Sequence, residues 1–156
     1  MGRIGANFSP STLAARALQT RGLVRAPIWL FRHGLGFVLG PRMVMIEHIG
    51  RTSGEPRYVV LEAADRPDAD TVVVSSGFGE RAQWYRNLRA TPRCHVTVGR
   101  TRREATAELL DREASEEALD RYKRQHPAAW KGLKAALDEA WGEPVEHLPM
   151  VRFRLH

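Results

Sequence analysis

The chain has a single cysteine, Cys94, in 156 residues. This excludes an intrachain disulfide and a thiolate metal cluster, and because Cys94 sits in an alternating apolar run it reads as core, not as a nucleophile. No apolar run approaches the roughly 20 residues that cross a bilayer. The richest, Leu23 to Leu39, is interrupted by Arg25, Pro27, Arg32, His33, Gly34 and Gly36. It reads as a helix lying over the core, although Trp29 and Phe31 beside Arg25 and Arg32 permit peripheral membrane contact through residues 23–39. No signal-type N-terminus with a small-residue cleavage site is visible, so a cytoplasmic protein is expected. The six histidines, His33, His48, His95, His126, His147 and His156, are scattered without metal-ligand spacing and read as structural or exposed. No carboxylate pair and no nucleophile elbow is present, so the sequence names no catalytic side chain and no metal site. Repeats and low-complexity tracts are also absent.

What is present is basic charge: 24 Lys and Arg against 18 Asp and Glu, a net +6. Such a balance favours anionic partners. The arginines are interleaved with acids and lack an aromatic RNA-binding signature, so no nucleic-acid partner is expected. The length fits one domain, 1–156, made of an N-terminal helical segment (1–41), a barrel (42–112), and two helices with a final strand (113–156). Within the first segment, Ser11 is the expected cap of a helix over Leu13 to Leu18.

From Met43 the apolar period changes to two, or to continuous runs, which predicts strands at Met43 to Ile49, Arg57 to Ala64, Thr71 to Ser75, His95 to Gly99, Arg102 to Leu110 and Met150 to Leu155. One helix, Arg81 to Ala90, interrupts them, with Trp84, Asn87, Leu88 and Thr91 on one face, and Thr91-Pro92 ends it. Two more helices follow, the first capped by Ser115 and stopped at Pro127, the second carrying Trp130, Leu133, Leu137 and Trp141 before a Gly142 C-cap. Strands joined by short turns predict a mainly β, α+β architecture: an antiparallel sheet closing into a small barrel with flanking helices.

Two glycine-marked stretches carry the chemistry. Gly50-Arg51-Thr52-Ser53-Gly54-Glu55-Pro56-Arg57 puts hydroxyls, backbone N–H groups and a pair of arginines into one turn, which suits an oxyanion such as phosphate. Ser75-Ser76-Gly77-Phe78-Gly79 empties a buried strand into a turn and a helix N-terminus, where unpaired N–H groups and the helix dipole can hold an anionic or carbonyl-bearing flat ligand. A phosphate seat and a backbone-lined groove without catalytic side chains fit a protein whose cofactor supplies the reaction.

The segment Gly50 to Arg57, followed by Val73 to Gly79 and Trp84 to Pro92, resembles the deazaflavin-dependent nitroreductase family, also called the flavin/deazaflavin oxidoreductases. The match runs in order and spacing from about Met43 to Leu110. It implies a split β-barrel of the FMN-binding type and the coenzyme factor 420, an 8-hydroxy-5-deazaflavin with a phospholactyl-polyglutamate tail. The implied activity is hydride transfer to an electrophilic small molecule such as an enone, quinone or nitro compound. The resemblance places the tail phosphate against Arg51, Thr52, Ser53 and Gly54 with help from Arg57. It lays the ring along Ser75, Ser76, Gly77, Phe78 and Gly79, near Trp84 and Asn87. Relatives often carry lysine where this chain has Gly77, so the resemblance implies a cationic contact that is either lost or moved to Arg81. The tyrosines that some relatives place over the substrate are unmatched; this chain offers Tyr122, Trp130 and Trp141 as pocket walls. An FMN-dependent reductase of the same barrel class and a non-enzymatic lipid- or fatty-acid-binding protein are the alternatives, and the protein is expected as a monomer or homodimer.

Overall fold

The structure, a computed structural model, describes residues 21–145 and 147–156; the expected Ser11 cap and its helix over Leu13 to Leu18 lie outside them. The strands β1 (Met43–Ile49), β2 (Pro56–Asp65), β3 (Thr71–Ser75), β4 (Arg93–Val98), β5 (Thr101–Leu109) and β6 (Met150–Leu155) close in the order β1-β2-β3-β6-β5-β4. Every neighbouring pair is antiparallel. β6, last in the chain, fills the gap between β3 and β5, so the barrel closes only with the C-terminal strand in place. Each described strand has a neighbour on both sides, although β2 meets β3 only through Ala63 and Asp65.

The sequence pattern follows from which faces are covered. On β5, Ala105 and Ala107 point into the barrel while Arg102, Glu104, Thr106 and Glu108 face out. Alanine is required there because Ala107 lies directly opposite Phe153 and Ala105 opposite Leu155, and both large side chains need the interior. β3 shows no alternation. Val72 and Val74 join the barrel core, whereas Val73 packs outward under a helical hairpin, so both faces are dry and the run is continuously β-branched.

Among the described residues four helices flank the barrel: α1 (Arg21–Arg32), α2 (Gln83–Ala90), α3 (Arg112–Gln125) and α4 (Pro127–Trp141). α2 follows β3 and buries Trp84, Tyr85 and Leu88 among the barrel valines. α3 and α4 form the hairpin, which covers Ala64, Val73 and Met150 with Ala118, Leu119, Tyr122 and Leu137. Several expected boundaries move. α1 stops at Arg32, and a 3₁₀ turn over Gly36–Leu39 continues the segment that reads as one helix to Leu39. A 3₁₀ turn at Gly79–Arg81 precedes α2, and Thr91 is already extended backbone beyond its end. The cap of α3 is Asp111, whose carboxylate accepts from Ala114 N–H at 2.8 Å. Ser115 is instead buried, its hydroxyl accepting from Met150 N–H at 3.0 Å and so tying the hairpin to β6. Pro127 opens α4 in the first-turn position where a missing N–H costs nothing.

Phe153, fully buried at the centre of this packing, gives the fold its test. Phe153→Ala should cost about 3–5 kcal/mol of stability in guanidinium unfolding; a loss below about 1 kcal/mol would contradict the assigned core.

Candidate functional site

The turn between β1 and β2 closes on itself, with Gly50 N–H donating to Glu55 O and Gly54 N–H to Gly50 O, both at 2.8 Å. Gly54 has φ +71°, which side-chain-bearing residues rarely adopt. Residues 51–57 are exposed throughout. Arg51 reaches back to α2: its backbone N–H donates to Asn87 Oδ1 at 3.1 Å, its Nη1 to the same oxygen at 2.8 Å, and its Nη2 to Gln83 Oε1 at 2.8 Å. Gln83 and Asn87 stand one helical turn apart and share a face. Arg57 lies at 3.5 Å from the Ser53 hydroxyl, which also accepts from Glu55 N–H. Among the described residues no carboxylate pairs with Arg51 or Arg57. Neutral groups orient them, and their charge remains available.

The second turn is locked differently. The Ser76 side chain is buried and donates to Gly79 O at 2.6 Å, while Ser76 N–H donates to Pro149 O. Gly79 takes φ +67°. Gly77 is where the helical hairpin touches this turn: a Cβ there would stand 2.9 Å from a Leu137 methyl, and Gly77 O accepts from Trp141 Nε1 at 3.0 Å. Trp141 also packs on Phe78, with ring centroids 5.9 Å apart. The N-terminus of α2, at Ala82, carries no side-chain cap. The positive end of its dipole stands three residues past Gly79.

The structure thus brings Arg51, Ser53, Arg57, Gln83 and Asn87 together, and Ser76 to Gly79 together with Trp141, with α2 as the link between the two groups. Arg81 is exposed beside them. Trp84 contributes from inside, packed edge-on against Tyr85 in the barrel core. Tyr122 and Trp130 are not brought here. They pack against each other, Tyr122 beneath Arg42 at the start of β1 and Trp130 beneath Lys123, and Arg42 stands about 20 Å of strand away from the turn that follows β1. Burial, reinforced by Glu62 and opposed by Arg42, raises the Tyr122 phenol. Cys94 is buried and its thiol is pushed up to about 12 by desolvation, which makes it inert. Among the described residues no cluster of His, Cys, Asp and Glu is arranged to hold a metal.

Sequence reasoning passed over Gln83 and His48. His48 is buried at the end of β1, with its Nδ1 3.1 Å from Asn87 Nδ2. The signal was available: Val44, Ile46 and His48 alternate on one strand face, so a histidine stands where an apolar residue belongs. Burial, and then the Arg57 charge, lower its pKa to about 4.

A closed antiparallel barrel with a helix entering after its third strand is a split β-barrel, and known structures agree. The chain superposes on an F420-H2 dependent reductase, FDR-A, with a TM-score of 0.53 at 20% identity, over 72% of this chain and 94% of that one. It also matches a Listeria innocua protein whose name proposes a pyridoxamine 5'-phosphate oxidase, with a TM-score of 0.51 at 12% identity, over 81% of this chain and 94% of that one. A further match, solved as a domain-swapped dimer, has a TM-score of 0.55 at 19% identity and covers 94% of this chain and all of the other. The family model for F420H(2)-dependent quinone reductase matches residues 31–137, and the chain belongs to that family. A curated Mycobacterium tuberculosis protein whose name proposes the same activity is 35% identical over 77 residues, which is 49% of this chain. The match spans 65% of that relative's length.

The lowered pKa of His48 makes a stability prediction. Between pH 6.5 and 4 the unfolded chain binds a proton at this residue that the folded chain refuses, so stability is complete above pH 6.5 and falls as pH drops towards 4. The loss attributable to His48 is about 3 kcal/mol at most. Urea unfolding at pH 7.5 and pH 4.5 should show a steeper decline in the wild type than in His48→Asn; equal declines would refute it.

Proposed function

We propose that this protein binds reduced factor 420 and passes a hydride from it to a quinone or a related electrophilic small molecule. The observation that carries this reading is the orientation of Arg51 and Arg57 by carboxamides and a hydroxyl, on a turn bonded to the helix that follows Ser76 to Gly79. An arginine steered by neutral partners keeps its charge for an incoming phosphate or carboxylate. The donor set fits a coenzyme with an anionic tail and a flat, carbonyl-bearing head: guanidinium forks and hydroxyls at one end, uncapped helix N–H groups at the other. When bound, the reduced deazaflavin supplies the hydride. The residues supply position: Arg51, Thr52, Ser53, Gly54 and Arg57 hold the tail, the backbone from Ser75 to Gly79 and the α2 N-terminus orient the ring, and Phe78 with Trp141 walls it. Family membership favours a quinone among the acceptors.

Fluorescence titration with factor 420 tests this. Binding at micromolar concentration, undisturbed by excess FMN, is the expected result; binding of FMN in preference to factor 420 would transfer the protein to a flavin reductase role. Arg51→Ala should weaken factor 420 binding by about 1–3 kcal/mol, as loss of a charge-assisted contact does. Unchanged affinity would remove the tail seat from this turn.

A second feature bears on where the acceptor is met. Trp29, Leu35, Phe37 and Val38 are exposed, with Trp29 54% and Val38 64% accessible. Arg100 covers the Phe37 ring at 4.5 Å, and Arg32 that of Tyr58 at 4.9 Å. Aromatic side chains rimmed by arginine suit peripheral contact with an anionic lipid surface. No helix among the described residues is long and apolar enough to cross a membrane. Co-sedimentation with anionic vesicles should fall in a Trp29→Ala, Phe37→Ala variant; no binding by the wild type would dismiss the contact.

A further inference from the structure

Asn87 is buried on α2, and its amide orientation is forced. Its Oδ1 accepts two bonds from Arg51, one from the backbone N–H and one from the guanidinium Nη1. Both partners can only donate, so the atom they meet must be the carbonyl oxygen. The other end of the amide is then an NH2 group, which lies 3.1 Å from His48 Nδ1. An NH2 group also only donates, so Nδ1 must be the bare nitrogen and the imidazole proton must sit on Nε2. His48 is opposite Arg57 in the β1–β2 ladder, and that cation and the buried surroundings both favour the neutral ring.

We propose that His48 is a positioning residue for the coenzyme seat: its Nδ1 lone pair sets the direction of the Asn87 amide, and through it the place of the Arg51 turn. The proposal rests on the reading of that turn as the tail seat of factor 420. Without an acceptor at position 48 the inward NH2 group is left buried and unpaired, and that cost opposes the orientation the two Arg51 donors require. The opposite orientation would direct NH2 at the Arg51 N–H and guanidinium, setting donors against donors, and would leave the turn held to α2 only through Arg51 Nη2 and Gln83.

The wild type tests the first link without mutation. Nitrogen-15 correlation spectra of the His48 ring, recorded on coenzyme-free protein at pH 7, should show the proton on Nε2; a proton on Nδ1, or a doubly protonated ring, would overturn the proposal. The second link needs two variants. His48→Asn places a carboxamide oxygen at the same distance from Cα as Nδ1 and retains the acceptor, whereas His48→Leu retains bulk and removes it. The Arg51 amide hydrogen should exchange slowly in the wild type and His48→Asn, and faster in His48→Leu. Factor 420 should bind about tenfold more weakly to His48→Leu, as for one lost buried hydrogen bond, and within about threefold of the wild type to His48→Asn. Turnover at saturating coenzyme should be unchanged in both. Equal Arg51 protection in both variants would overturn the relay from His48. Lost protection in His48→Leu with unaltered factor 420 affinity would show instead that the seat lies elsewhere, and would remove the coenzyme role of His48 with it.

Discussion

One oxygen atom, Asn87 Oδ1, joins the charged turn between β1 and β2 to the helix that follows β3. It accepts from both the backbone and the side chain of Arg51, 36 positions earlier in the chain. A hairpin turn exposed from residue 51 to 57 would otherwise have little to hold it still. The helix that provides Asn87 is fixed by Trp84, Tyr85 and Leu88 in the barrel interior. The order of the barrel therefore extends through α2 to a charged turn on the surface, and burial of aromatic area at one end becomes placement of a guanidinium at the other.

The partners of the arginines separate neutralised from unneutralised charge. Arg102 with Glu47, Arg103 with Asp70, Arg121 with Asp65 and Arg152 with Glu108 form ion pairs around the barrel. Where both partners are exposed, as in Arg152 with Glu108, a pair contributes little to stability, but each pair cancels local charge. Arg51 and Arg57 face carboxamide and hydroxyl groups, which orient without neutralising. This turn is where the family resemblance places an anionic coenzyme tail.

Much of the barrel was legible in the sequence because its rules are local. Period two on β5 and the dry valines of β3 both report which faces are covered, and the expected bounds of β1, β3 and β6 are those observed. Helix ends were less legible. Asp111 and Ser115 are both good caps, and only the packing of α3 against β6 shows that Ser115 is needed inside. Pairings distant in sequence were least legible: nothing local to His48 reveals that it meets Asn87, or that Arg51 meets Gln83. For the same reason three aromatics read as one pocket wall divide, Trp141 going to Gly77 and Tyr122 with Trp130 going into the hairpin packing beneath Arg42.

The most direct test of the account is a crystal structure of the protein with factor 420 bound. The tail anions should lie within hydrogen-bond distance of the Arg51 guanidinium, still held by Asn87, with the ring along Ser75 to Gly79. A coenzyme seated in the concavity across β1, β4 and β5, against Glu47, His95 and His156, would contradict it.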